Sequence, residues 1–238
     1  MKKEKKNQKN INFKKDPFIV IDSMMELARF FRFKKKIKII EDDLDEIRFI
    51  EDINNRRKLD AEILSLIAAN VPIGNMLDIG TYHGHSAARM AINSPQSTIF
   101  TVNIHPEELS QAGERITGTP SLEEIGIFFR GKDINNIYQI FANTKTWNVP
   151  KEIDNLSLVY VDGCHDRSFV YNDTKLVIHR VIKDGFILWH DCSPIYRNNF
   201  EWINESMSGI EMLVEEQIID SYILNVKNSW IGIWRKNA

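Results

Sequence analysis

The pattern of apolar and polar positions divides the chain into an irregular, lysine-rich beginning and a long stretch where short apolar runs alternate with segments of helical period. Apolar runs bounded by turn residues predict strands at 76–79, 98–103, 137–142, 156–162, 186–190, 221–226 and 230–235. Residues 57–69 carry Leu59, Ile63, Leu66 and Ile67 on one helical face, which Val71 and Pro72 end, and a helix is predicted from about His83 through Met90. This alternation predicts an α/β, Rossmann-like, doubly wound fold: a mostly parallel seven-stranded sheet with helices on both faces. The last two strands, joined at 227–229, predict a C-terminal antiparallel hairpin. Upstream, 18–33 places Val20, Met24, Leu27 and Phe31 at helical spacing. That N-terminal helical extension needs a cover, which the domain itself or a second subunit would supply, and a homo-oligomer is expected. The expected division is a basic tail and helical extension over 1–56 and one domain over 57–238.

Charge and composition refine this picture. With 238 residues and 43% hydrophobic content the chain can bury a sizeable core. No apolar run approaches the roughly 18 residues that span a bilayer, and the lysine-rich start lacks the apolar region of a secretory signal. The two cysteines, Cys164 and Cys192, suit a reducing compartment, and a cytoplasmic protein is expected. Net charge of -2 carries no message about partners, and no nucleic-acid partner is expected. The first 38 residues nevertheless hold 13 Lys and Arg against 4 Asp and Glu, so peripheral contact with an anionic membrane is one reading of the beginning. An acidic segment, 41–46, follows.

The stretch MLDIGTYHGHSA, 76–87, is the most informative: an apolar run with one acid, Asp78, turns through Gly80 and Gly84 into a helix. Glycines there let the backbone turn sharply and approach a ligand, and the helix start offers N–H groups to an anion. In an open parallel sheet ligands bind beyond the carboxyl ends of the strands. Five of the six histidines fall there: His83, His85, His105, His165 and His190. Asp162 and Asp191 end neighbouring strands, where paired carboxylates can hold a divalent cation. The long segment 104–136, rich in glycine, is expected to be a lid, a substrate wall or a structural insertion. Asp173 is expected on a helix surface, and Phe128, Phe129, Trp147, Trp189, Tyr196, Phe200 and Trp202 are candidates to line an acceptor pocket.

From about Arg57 onward the chain resembles the class I methyltransferases that use S-adenosylmethionine. Asp78, Gly80 and Gly84 match the family's first motif in its DxGTxxGxS variant, which puts Gly80 and Tyr82 near the methionine end of the cofactor. TVNIHP at 101–106 and ANT at 142–144 match the segments beside the ribose and the adenine, with Asn103 and Asn143 where carboxylates are common. An amide accepts a hydrogen bond without charge assistance. YVDGCH at 160–165 and GFILWHD at 185–191 look like the strand ends of the small-molecule O-methyltransferase and cephalosporin-hydroxylase-like branch. The resemblance implies cofactor contacts at Asp78, Gly80, Tyr82, Gly84, Asn103, Asn143 and Asp162, the last toward the cofactor's ammonium group.

Methyl transfer from S-adenosylmethionine to a hydroxyl of a small molecule, such as a sugar or secondary metabolite, is therefore the expected activity. Two mechanisms remain open. In catechol-type relatives the matching acids bind magnesium; here Asp162 and Asp191, with His190 as third ligand, would hold a divalent cation, magnesium or manganese, and the histidine and neighbouring Cys192 favour softer ions than magnesium. Without a cation, His165 or His190 takes the hydroxyl proton, with Asp191 beside them as the third expected catalytic residue. The alternatives are a noncatalytic Rossmann-like scaffold or a nicotinamide-dependent oxidoreductase. The GxxxG spacing at Gly80 and Gly84 argues against the oxidoreductase, whose fingerprint is GxGxxG.

Overall fold

The computed structural model describes residues 16–38, 56–111 and 118–237; the tail over 1–15 and the acidic segment over 41–46 lie outside them. In chain order the strands are β1 (Phe18–Ile21), β2 (Asn75–Ile79), β3 (Thr98–Asn103), β4 (Ile137–Phe141), β5 (Leu156–Val161), β6 (Val181–Trp189), β7 (Ile223–Val226) and β8 (Gly232–Arg235). The helices are α1 (Met24–Phe31), α2 (Arg56–Asn70), α3 (His85–Asn93), α4 (Arg167–Val177) and α5 (Glu201–Glu215). One sheet runs in the order β1-β7-β8-β6-β5-β2-β3-β4. Strand β8 is antiparallel to β6 and β7, so the expected hairpin closes, and the other neighbours are parallel.

All seven expected strands form, and β1 is an eighth. Residues 18–21 were expected to begin a helix; instead they pair in parallel with β7, Phe18 opposite Ile223 and Ile21 opposite Val226. FIVI is a continuous run rich in β-branched residues, which favours a strand over a helix start. Ser23 then marks the true start of α1, its Oγ accepting from the Glu26 N–H, and Arg32 closes the helix at φ 58°. Residues 16–38 thus supply the edge strand of the main sheet and a helix packed on it.

Successive residues of the central strands feed two cores. Val159 and Val161 of β5 pack with α4 and α5, while Leu158 and Tyr160 pack with α2 and α3 on the other face. The apolar side of α1 joins the second core: Leu27 is fully buried, and the rings of Phe31 and Phe33 lie 4.9 and 5.9 Å from that of Phe186 in β6. The sheet of the same chain therefore covers this face, the first of the two covers expected for it. Two asparagines at helix ends fix the strap that follows α1. Asn70 Oδ1 accepts from the N–H groups of Lys34 and Lys35, and Asn93 exchanges hydrogen bonds with both main-chain groups of Lys38. Among the described residues no helix is long and apolar enough to cross a membrane.

Leu27→Ala should lower the unfolding free energy by about 2–4 kcal/mol, because its site is fully enclosed. Val20→Ala, on the exposed side of β1, should cost at most about 1 kcal/mol. Urea denaturation of the two variants measures both, and equal losses would contradict the docking of α1.

Candidate functional site

The carboxyl ends of β2 to β6 open into a cavity of about 600 Å3, closed on one side by α2. The glycine turn after β2 forms its floor. Gly80 stands at φ 108°, and a Cβ there would fall 2.0 Å from the carbonyl oxygen of Asp162. That oxygen cannot retreat, since the Asp162 N–H donates to Ile79 O at 2.8 Å and ties the two strand ends together. Only glycine fits the crossing. Gly84, at φ 94°, begins α3 and would meet the Phe129 ring at 2.5 Å if it carried a Cβ. Phe129 belongs to the long segment after β3. Its backbone hooks onto the turn through Gly126 N–H to Tyr82 O and Phe128 N–H to His83 O, so this part of the segment backs the turn, and among its described residues the segment reaches the cavity only at Ile104, Gly118 and Thr119. Tyr82, at φ 48°, sits half exposed at the rim.

The other residues expected around a cofactor divide into those that line the cavity and one that lies behind it. Asn103, Asn143 and Asp162 line it together with Gly80 and Tyr82. Asn103 is already committed: its Oδ1 accepts from the Tyr82 N–H at 3.0 Å, and its Nδ2 donates to Ile104 O and to Thr119 Oγ1. It shapes the turn rather than presenting a bare amide. Asn143 Oδ1 accepts from the Lys145 N–H at 3.1 Å. Asp78 is fully buried and is not among the lining residues. Thr101 Oγ1 donates to Asp78 Oδ2 at 2.6 Å, which uses the hydroxyl's one proton. Thr81 must therefore donate to Thr101, and Gln139 Nε2 donates to Thr81, a chain running from β4 through the turn to the acid. Burial pushes the Asp78 carboxyl up from 3.8 to about 7, against the Thr101 and Ser86 hydroxyls.

At the β5–β6 end of the cavity three carboxylates surround two imidazoles. His165 Nδ1 lies 2.9 Å from Asp191 Oδ2. His190 Nδ1 lies 3.2 Å from Asp162 Oδ1 and 3.4 Å from Asp191 Oδ2, while its Nε2 faces Asp60 Oδ2 at 3.5 Å. Burial lowers both imidazoles, but the carboxylates outweigh it: Asp191, by hydrogen bond and charge, raises His165, and Asp162 leads in raising His190 well above 6.5. Asp191 is buried, which alone would raise it, yet the His190 charge and hydrogen bonds from both histidines hold it well below the usual carboxylate range. Asp191 adopts φ 50°, a left-handed conformation that aspartate tolerates better than most residues.

One ligand atom each from Asp162, His165 and Asp191 lies within 4.8 Å of the others, a donor set that fits a divalent cation. Its nitrogen donor favours manganese, iron or zinc over magnesium. His165 completes that set, whereas His190, expected as third ligand, turns both nitrogens to carboxylates.

Asp60 is the member of the cluster that the sequence analysis missed. It precedes Leu64 and Ile67 by four and seven residues, so an acid interrupts the apolar stripe of α2, and that was the available signal. The N–H of Trp230, in the β7–β8 connection, donates to Asp60 Oδ1 at 2.9 Å. Of the other histidines only His83 lines the cavity; His85 stacks on Phe128, and His105 Nδ1 accepts from the Glu107 N–H. Asp173, expected on a surface, is buried and lines the cavity, because α4 turns it inward. None of the seven aromatic candidates for the acceptor pocket lines the cavity; Trp189 and Phe129 are core, and Tyr196, Phe200 and Trp202 gather around Trp230. Both cysteines are buried free thiols, and burial pushes Cys164 up to about 12, which keeps it protonated.

Known proteins resemble this chain in one domain and in fold. Residues 77–192 match the family profile of a methyltransferase domain. No curated protein matches the sequence. Among solved structures, the S-adenosylhomocysteine-bound methyltransferase PaMTH1 of Podospora anserina superimposes with a TM-score of 0.57 at 15% identity, over 90% of this chain and 94% of that one. A provisionally assigned caffeoyl-CoA O-methyltransferase from Staphylococcus aureus gives 0.51 at 16% identity, over 91% and 93%. The N-methyltransferase NodS of Bradyrhizobium japonicum gives 0.50 at 10% identity, over 79% and 99%. The chain thus carries a methyltransferase-domain match over residues 77–192 and shares its fold with these solved structures.

The raised carboxyl of Asp78 has a testable cost. An acid whose folded value exceeds its unfolded one binds its proton more tightly in the fold, so stability falls as pH rises from about 4 to about 7. The loss attributable to Asp78 is on the order of 4 kcal/mol. Asp78→Asn should flatten that part of the profile, and urea unfolding at pH 5 and pH 8 should show the variant losing less stability between them than the native chain.

Proposed function

We propose that this protein is an S-adenosylmethionine-dependent methyltransferase that methylates a hydroxyl of a small molecule, a sugar or secondary metabolite. The observation that carries the reading is the join of two features in one cavity: a glycine turn that admits no Cβ, and a buried His165–Asp191 pair at 2.9 Å. A cavity of this size suits a ligand that spans several strand ends.

S-adenosylmethionine supplies, when bound, an electrophilic methyl group on a sulfonium. The residues of the chain do the rest. His165 Nδ1–H donates to Asp191 Oδ2, which fixes the tautomer and leaves Nε2 to take the proton of the acceptor hydroxyl. His190, with carboxylates at both nitrogens, acts as a buried cation that neutralises Asp162, Asp191 and Asp60, and it is thereby spent as a base. Asp162 accepts from the ammonium of the cofactor's amino-acid end. Gly80 and Tyr82 let the backbone approach the methionine portion, Gly84 gives its space to Phe129 instead, and Asn103 and Asn143 border the nucleoside. Rate comes largely from holding oxygen, methyl carbon and sulfur in line.

The proximity of Asp162, His165 and Asp191 favours a second reading of the same step, in which these three hold a divalent cation that acidifies the hydroxyl. Metal-stripped protein separates the two. Full turnover without added magnesium, manganese or zinc eliminates the cation, whereas turnover that returns only with one of them eliminates the histidine base.

S-adenosylhomocysteine should raise the melting temperature by about 5–10 °C at a hundredfold excess over Kd, and NADH and NADPH should leave it unchanged. Tight nicotinamide binding without any sulfonium cofactor would overturn the assignment. With a responsive acceptor, His165→Ala should lower turnover by roughly two to four orders of magnitude while cofactor affinity is retained. Cofactor binding with no transfer to any acceptor would favour the scaffold instead.

A further inference from the structure

The cavity opens at the carboxyl ends of the strands, and the opposite edge of the sheet carries a different surface. Strand β1 runs in the same sense as β2 to β7, so α1, turning back from its end, finishes at the amino ends of the strands. The strap after α1 stays at that edge. Lys34 and Lys35 are tied to Asn70 at the end of α2, just before β2 begins, and Lys38 to Asn93 at the end of α3, just before β3. These bonds use the main chain of the strap, and Arg29, Arg32, Lys34, Lys35 and Lys36 are exposed. Two large apolar side chains accompany the cations. Phe30, the outward neighbour of the docked Phe31, is 65% exposed, and Ile73, in the turn from α2 to β2 close after Asn70, is 59% exposed. Either alone would be an ordinary surface residue. The acids of the same region are spent or set apart: Asp184 pairs with Arg235 at 2.9 Å, and Asp22 and Glu26 sit at the other end of α1.

We propose that the end of α1 and the strap after it form a docking surface for an anionic lipid membrane, with the cations against the headgroups and Phe30 and Ile73 entering the boundary with the acyl chains. Apolar and cationic side chains on one edge supply the two signals that lasting attachment to a bilayer surface needs. The distribution of charge along the chain points the same way. The first 38 residues carry 13 Lys and Arg against 4 Asp and Glu, while the whole chain has a net charge of -2, so the remainder is acidic. An anionic surface therefore repels most of the molecule and attracts this edge, which orients the protein as well as holding it. In that orientation the cavity mouth faces away from the lipid and stays open to a dissolved ligand. Nucleic acid would also meet the cations, but it would gain little from Ile73, which has no flat face on which a base can stack.

Co-sedimentation of the full-length protein with phosphatidylcholine vesicles, with and without roughly 30% phosphatidylserine, tests this. The native protein should sediment with the anionic vesicles, stay in solution with the neutral ones, and be released as salt is raised. Lys34→Ala, Lys35→Ala and Lys36→Ala together should weaken partitioning by about a hundredfold, since each cation near such a surface is worth about fivefold. Phe30→Ser should weaken it by about tenfold, and that loss should persist at low salt, because it removes apolar burial and no charge. All four side chains are exposed, so both variants should keep the native melting temperature, which verifies that they are folded. Equal partitioning of the native protein onto neutral and anionic vesicles, or onto neither, overturns the proposal. So does undiminished binding of the triple variant, which would assign the attraction to the lysines of the tail over 1–15 instead. Tighter binding to single-stranded RNA than to anionic vesicles, unaffected by Phe30→Ser, would make this edge a nucleic-acid surface and overturn the membrane assignment as well.

Discussion

The mutual neutralisation of Asp60, Asp162, Asp191, His165 and His190 is the interaction on which the cavity end of the molecule depends. Five ionisable groups in a poorly solvated space are tolerable only as a set, because each charge removed leaves a neighbour uncompensated at a cost of several kcal/mol. The set also joins separate parts of the chain. Asp60 comes from α2, Asp162 and His165 follow β5, His190 and Asp191 follow β6, and the β7–β8 connection reaches in through the Trp230 N–H. Helix α2, the central strands and the C-terminal hairpin therefore share one electrostatic junction.

Next to that junction the constraint is steric. The approach of Gly80 to the Asp162 carbonyl draws β2 and β5 together at their ends, and the long segment after β3 is hooked onto the same turn at Tyr82 and His83. The floor of the cavity is consequently set by backbone contacts. Side chains such as Asn103 serve the same purpose by spending their hydrogen bonds on the turn. A ligand entering here meets a site already formed, so little of its binding energy goes to ordering protein.

Much of the architecture was legible because strand and helix periods are local. The seven strands from β2 to β8, the final hairpin and the glycine turn all follow from apolar runs, turn residues and the two glycines. The misreading of 18–21 has a local origin too: Val20 fits a helical face with Met24, Leu27 and Phe31, yet the unbroken FIVI run pairs with β7 and Ser23 starts the helix later. At the site, the strand-end residues Asp162, His165, His190 and Asp191 were found from their positions, while Asp60 was passed over because it arrives from a helix about a hundred residues upstream.

The sequence by itself determined the fold class, the edge of the sheet where the cavity opens and the residue types gathered there, because these depend on periodicity and on spacing within single elements. Tertiary structure alone decided how those residues are used. It turned both nitrogens of His190 toward carboxylates and left His165 with one, buried Asp78 behind the cavity, brought Asp173 into it, and covered the apolar side of α1 with the sheet. Each of these outcomes is a contact between elements far apart in the chain, and desolvation and charge act through such distances in space, which no local pattern encodes.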